Sequence, residues 1–118
     1  MITSEDINRF DAANLIEMDE YQNKARKYAI YQKQYKVVYP TLGLFSEAGE
    51  VGDKIKKWIR DGDTNKEDLA KELGDVLWYV AMLAEDIGYP LSDIALMNLE
   101  KLESRKKRGK LRGSGDNR

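Results

Sequence analysis

The sequence predicts an all-α protein, an antiparallel bundle of about four main helices. Apolar residues recur with the 3.6-residue period of a helix over long stretches, no stretch keeps the strict alternation of a strand, and only two prolines interrupt 118 residues. The breaks between periodic stretches are short, which sets consecutive helices side by side and antiparallel. With 42% hydrophobic residues, two Trp and seven Tyr, the chain suits a single domain over residues 1–118.

Each element has its own signals. "TSEDINRF" reads as a short first helix, capped by Thr3 or Ser4 with acids in its first turn. A longer helix is expected over about 18–31, "MDEYQNKARKYAIY". Pro40 suits the first turn of the next, which runs to about Arg60 and breaks at "DGD". Thr64 and Glu67 form a capping-box pattern that opens a helix through about Ile87, closed by Gly88. Pro90 begins the last helix, ending near Gly109. The remaining residues, 109–118, are polar and glycine-rich and are expected to be a mobile tail unless a partner or ligand orders them.

Composition narrows the chemistry. The chain has no Cys and no His, so disulfides, thiolate nucleophiles, histidine bases and the usual zinc sites are all excluded. Any reaction must use carboxylates, amines, guanidinia, hydroxyls or a hard cation held by oxygen. Twenty basic against 21 acidic residues give a net charge of −1, which argues against nucleic acid as a partner. The absence of a long apolar run or a signal-peptide pattern leads us to expect a cytoplasmic protein with no membrane contact.

The acids fall into a pattern. Leu44, Ala48, Val51, Ile55 and Ile59 make one apolar stripe at helical spacing, with Glu47, Glu50 and Lys54 along its edge. Further on, Leu69, Leu73, Val76, Val80, Leu83 and Ile87 make a second stripe, flanked by Glu72, Asp75 and Tyr79. Asp75 is the only charged residue between Leu73 and Ala84, which predicts a buried carboxylate in need of a partner. In a hairpin turning at "DGD", an E-x-x-E pair on one helix faces an E-x-x-D pair on the next. Four converging carboxylates repel, and a divalent cation compensates; oxygen donors alone favour Mg2+, with Mn2+ as a substitute. The competing reading is a network of salt bridges in which Glu47 and Glu50 pair with Lys54 or Lys57 one turn away.

The segments "GLFSEAGEV" and "KELGDVLWYVA" resemble the all-α nucleoside triphosphate pyrophosphohydrolases, specifically the MazG-like group. The two acid pairs, with 21 residues between Glu50 and Glu72, match that group's metal-binding signature, and "NLEKLESRKKRGKLRGSGDNR" looks like its C-terminal N-x-x-K-x-x-x-R segment. The likeness covers nearly everything beyond Glu17. One position departs: the group often carries a third acid immediately before the first pair, where this chain has Ser46. The resemblance implies that Glu47, Glu50, Glu72 and Asp75 hold Mg2+, and that a nucleoside triphosphate substrate is cleaved to monophosphate and pyrophosphate. Glu47 and Glu50 are then the candidates for activating the water.

In that frame Asn98, Lys101 and Arg105, spaced i, i+3, i+7, offer a donor and two cations to the phosphates. Trp58 and Tyr79 are candidates to hold a base or sugar, and Lys54 to meet phosphate. Gly43, Gly49 and Gly52 are expected to leave room for a close-approaching helix or for the nucleotide. Apolar surface at Trp78, Leu77 and Met82 predicts a homodimer or homotetramer, as does the resemblance. The alternatives are phosphoribosyl-ATP pyrophosphohydrolase, a dUTPase or dCTPase relative, a non-catalytic helical interaction module, and, ranked last, a nucleic-acid tail at "SRKKRGKLRG".

Overall fold

The computed structural model describes residues 15–62 and 65–118. The described residues form four α-helices, α1 (Met18–Arg26), α2 (Val38–Asp61), α3 (Lys66–Asp86) and α4 (Leu91–Lys107), with a 3-10 turn at Lys33–Tyr35. No strand occurs among the described residues, as expected for an all-α fold. The short helix expected at "TSEDINRF" lies outside the described residues. No described helix is long and apolar enough to cross a membrane.

The long helices α2 and α3 pair most extensively, and their register is antiparallel. Gly43 meets Tyr79, Leu44 shares an apolar groove with Val80 and Leu83, and Glu47 meets Glu72 and Asp75. Gly62, in the left-handed region at φ +72°, ends α2 by donating its N–H to the Trp58 carbonyl. The start of α3 differs from the expected capping box. Asn65 is the N-cap, its side chain accepting from the N–H groups of Glu67 and Asp68 at 3.0 and 3.3 Å, and Thr64 lies outside the described residues. Gly88 closes α3 as expected: at φ +86° it lets Tyr89 N donate to Ala84 O and its own N to Glu85 O.

Apart from Pro40 of α2, the buried apolar residues lie where α1 crosses the end of α3 and the start of α4. They are Ala25, Ala81, Met82, Ala84 and Leu91, with Tyr21, Trp78 and Val80 packed against them. Met82 is therefore fully buried rather than exposed, and Trp78 is half-buried with its indole N–H donating to Ala25 O at 3.1 Å. Of the three residues expected at the surface only Leu77 is there. Conversely Ile59, Leu73 and Ile87, expected on the core stripes, are exposed.

Helix α1 works as a clamp. The buried amide of Gln22 donates to Ala81 O and Tyr89 O at 3.0 and 3.1 Å and accepts from Leu91 N at 3.0 Å, so every element at that corner is tied to one side chain. Asp19 caps α4 from a distance in sequence, accepting from Ser92 N at 2.9 Å and Ser92 Oγ at 2.6 Å. These bonds hold the Asp19 carboxyl below its ordinary pKa. The helix stops at Arg26 rather than near residue 31. Beyond it, Tyr28 N and Ala29 N make i, i+3 turn bonds, while the Arg26 guanidinium and the Tyr31 hydroxyl both reach Asp86. Long-range partners outbid helix propensity there.

Candidate metal centre

The antiparallel register of α2 and α3 brings acids together at mid-hairpin. Oxygens of Glu47, Glu72 and Asp75 all lie within 4.8 Å of one another. Glu50, one turn beyond Glu47, is exposed and stands outside this group, so the expected set of four is three plus one. Asp75 itself is exposed, not buried: the apolar residues around it on α3 leave its own face open.

No described lysine or arginine nitrogen lies within 4.0 Å of any of these four carboxylates. Lys56 and Lys57 pair instead with Asp53, at 2.9 and 2.7 Å, holding it at a pKa of about 2. The salt-bridge reading of Glu47 and Glu50 thus finds no support in the geometry. The electrostatic consequence falls on Glu47, whose pKa is raised by burial first and then by the negative charges of Asp75, Glu72 and Glu50. Three hard oxygen donors with no cation partner among the described residues fit a divalent cation of the Mg2+ or Mn2+ type.

Aromatic side chains flank the acids. Tyr79 has its pKa raised by burial, by Tyr39 and by Glu47 and Asp75, which places its hydroxyl in their field. Tyr31 stacks on Tyr39 with centroids 4.9 Å apart, Tyr39 tilts against Tyr79 at 6.4 Å, and Trp78 meets Tyr79 edge-on at 5.0 Å. Tyr21 of α1 is a residue that sequence reasoning missed: burial and the Asp75 charge both raise its pKa. No spacing on α1 points to Tyr21; only the tertiary crossing does.

The remaining candidates are spread out. Trp58 is 42% exposed and lies three turns past Glu47, about 16 Å along the helix axis at 1.5 Å per residue. Lys54 is half-exposed and makes no ion pair among the described residues. Asn98 is exposed on α4. Lys101 and Arg105 both face Asp116 of the tail, at 3.4 and 3.5 Å, rather than the acids of α2 and α3.

The glycines divide in the same way. A Cβ at Gly43 would run into the Tyr79 ring, whereas Gly49 and Gly52 have no atom within 4 Å of theirs, so no described element approaches them. Gly43→Ala should therefore displace Tyr79 and cost about 1–3 kcal/mol, as overpacking does. A urea denaturation midpoint no lower than that of the parent chain would show that the ring moves aside freely.

A family model, the MazG nucleotide pyrophosphohydrolase domain, matches residues 40–109, which is more than half of the chain and takes in all four acids. The chain belongs to the MazG family. A further relative is the Gene 37 protein of Mycobacterium phage L5, 53% identical over 85 residues, covering 68% of this chain and 75% of that protein. No solved structure matches. Membership in the MazG family supports a pyrophosphohydrolase type of enzyme, and three of the four acids that carried the resemblance, Glu47, Glu72 and Asp75, converge here.

Proposed function

We propose that this MazG protein is a Mg2+-dependent nucleoside triphosphate pyrophosphohydrolase, converting (d)NTP to (d)NMP and pyrophosphate. The observation that carries the reading is the convergence of Glu47, Glu72 and Asp75 with no lysine or arginine among the described residues paired to them. These three residues would hold Mg2+, or Mn2+ in its place. When bound, the ion supplies charge neutralisation for a triphosphate and for the transition state of its cleavage. Glu50, outside the group but one turn from Glu47, would orient the attacking water and take its proton. Tyr79 and Tyr39 offer ring faces beside the acids for a base or sugar, contacts that tolerate several bases. Asn98, Lys101 and Arg105 are assigned to the phosphates, and Lys54 and Trp58 to the outer part of the substrate.

We extend the proposal to assembly. Leu42, Phe45 and Ile59 are 64%, 76% and 81% exposed, and with Gly49 and Gly52 they follow a 3-4 spacing along one open face of α2. The radius of gyration is 17.0 Å, against about 13–14 Å for a compact domain of this length. Both features suit a homodimer or homotetramer in which a second copy covers α2. A soluble cytoplasmic enzyme acting on nucleotide pools, as one domain over 1–118, completes the reading.

The test is direct. Purified protein with Mg2+ and a panel of ribo- and deoxyribonucleoside triphosphates should release monophosphate and pyrophosphate. Release of orthophosphate, or no turnover of any nucleotide including phosphoribosyl-ATP, would overturn the assignment.

A further inference from the structure

Residues 109–118 fold back over α4, and the glycines explain how. Gly109, Gly113 and Gly115 have φ of +68°, +111° and +87°, values that side chains disfavour, and they reverse the chain within a few residues. Lys110 N donates to Arg105 O at 2.7 Å and Gly109 N to Lys106 O, the bonding of a helix closed by a left-handed residue. Arg118 then fastens the loop, its guanidinium donating to Lys110 O, Leu111 O and Gly115 O.

The fold-back delivers Asp116, the only acid in the strongly basic stretch 104–118, to Lys101 and Arg105. It is a poor fit. The carboxylate is 86% exposed and its contacts are long, 3.4 Å from Lys101 and 3.5 Å from Arg105. Arg105 is only 5% exposed, yet it bonds the tail through Nη2 alone, to Gly115 O at 3.3 Å and Asp116 O at 2.8 Å. Its Nε is buried with no hydrogen-bond partner. A guanidinium normally binds an oxyanion through a fork of parallel N–H donors. Here one prong is empty and the lysine beside it is loosely engaged.

We propose that residues 109–118 are a self-inhibitory strap: Asp116 and the neighbouring carbonyls occupy the Lys101–Arg105 cation pair, and an incoming phosphate chain displaces them. Phosphate oxygens can satisfy Lys101 Nζ, Arg105 Nη2 and the empty Arg105 Nε together, which the tail does not. Displacement then releases the strap while the helix to which it was attached stays folded. The proposal rests on the phosphate role assigned above to these two cations, and not on hydrolysis.

The experiment uses the full chain without metal, in EDTA, with inorganic pyrophosphate as the probe. Calorimetry gives affinity, and the Gly113 and Gly115 amide resonances report whether the tail is seated. Pyrophosphate should move both resonances to random-coil positions, Asp116→Asn should bind it about fivefold tighter, as loss of an exposed ion-pair competitor allows, and Lys101→Met should bind it more weakly. Asp116 is exposed, so folding is not at stake in its replacement. Pyrophosphate that does not bind, or that binds with both glycine resonances unmoved or with equal affinity in Asp116→Asn, overturns the strap. Nucleotide cleavage in Mg2+ with the tail still seated would sink the strap alone, whereas tail release without cleavage of any nucleotide would uphold it and sink the pyrophosphohydrolase reading.

Discussion

Asp75→Asn is expected to lower kcat/KM for nucleoside triphosphates by at least 10²-fold, about 2.7 kcal/mol of transition-state stabilisation, without lowering thermal stability. The two effects separate because of where Asp75 sits. It is exposed and no described lysine or arginine pairs with it, so its replacement by the isosteric amide opens no cavity and orphans no described cation. It does stand within 4.8 Å of Glu47 and Glu72, and removing one of three like charges relieves repulsion. The melting temperature should hold or rise slightly in the absence of metal. Added Mg2+ should raise the melting temperature of the parent chain by mass action, and raise that of the variant much less. Turnover retained in Asp75→Asn, or a Mg2+ response equal in both proteins, would remove the acid group from the reaction.

Asp86→Ala is the substitution expected to cost most stability, about 3–5 kcal/mol, read from chemical denaturation. The Asp86 side chain is fully buried. It accepts from Arg26 Nη1 at 3.1 Å, Tyr31 Oη at 2.8 Å and Val37 N at 3.0 Å, so one truncation removes an acceptor shared by three donors and leaves Arg26 with only Tyr31 Oη, Met82 Sδ and the longer Glu85 contact. Val37 matters most for the site. Its φ of +68° and the 2.7 Å bond from Val38 N to Lys36 O make a tight γ-turn that a β-branched residue adopts only under strain, and the turn sets the start of α2. Asp86 thereby fixes where α2 begins, and with it Tyr39 and Glu47.

The same carboxylate predicts a pH dependence. Burial alone would raise its pKa, but the bonds from Val37, Tyr31 and Arg26 outweigh burial and hold it below the ordinary value. A lowered folded pKa means that the unfolded chain binds the proton more readily. The stabilisation is therefore complete above the unfolded pKa of about 3.9 and is lost as pH falls through the folded value. In Asp86→Asn this part of the acid slope should vanish; an unchanged slope between pH 4 and 2 would contradict the bonding described.

Much of this was legible in the chain. The period of the apolar residues, Pro40 and Pro90 at helix starts and Gly62 and Gly88 at helix ends are local signals, and each was realised within two or three residues. The acid pairs were legible for the same reason: spacing on a helix fixes which residues share a face. What failed was whatever depended on a partner distant in sequence. The helix expected to reach residue 31 stops at Arg26 because Asp86 claims the guanidinium and the Tyr31 hydroxyl. Gly49 and Gly52 face open space while Gly43 makes the close approach, a distinction that depends on where Tyr79 arrives. Met82 is buried because α1 crosses it, and nothing on α3 announces that crossing.

Local sequence signals suffice to tell that the chain is helical, about where its helices break, that any chemistry must run on oxygen and nitrogen donors other than histidine, and which acids share a helix face. Packing of the whole chain was needed to group Glu47, Glu72 and Asp75 without Glu50, to tie the elements together through Gln22, Asp19 and Asp86, and to return Asp116 to Lys101 and Arg105. The physical reason is range. Helix period, caps and breaks are settled by interactions within about four residues, whereas a buried polar group takes whichever partner the packed chain brings to it.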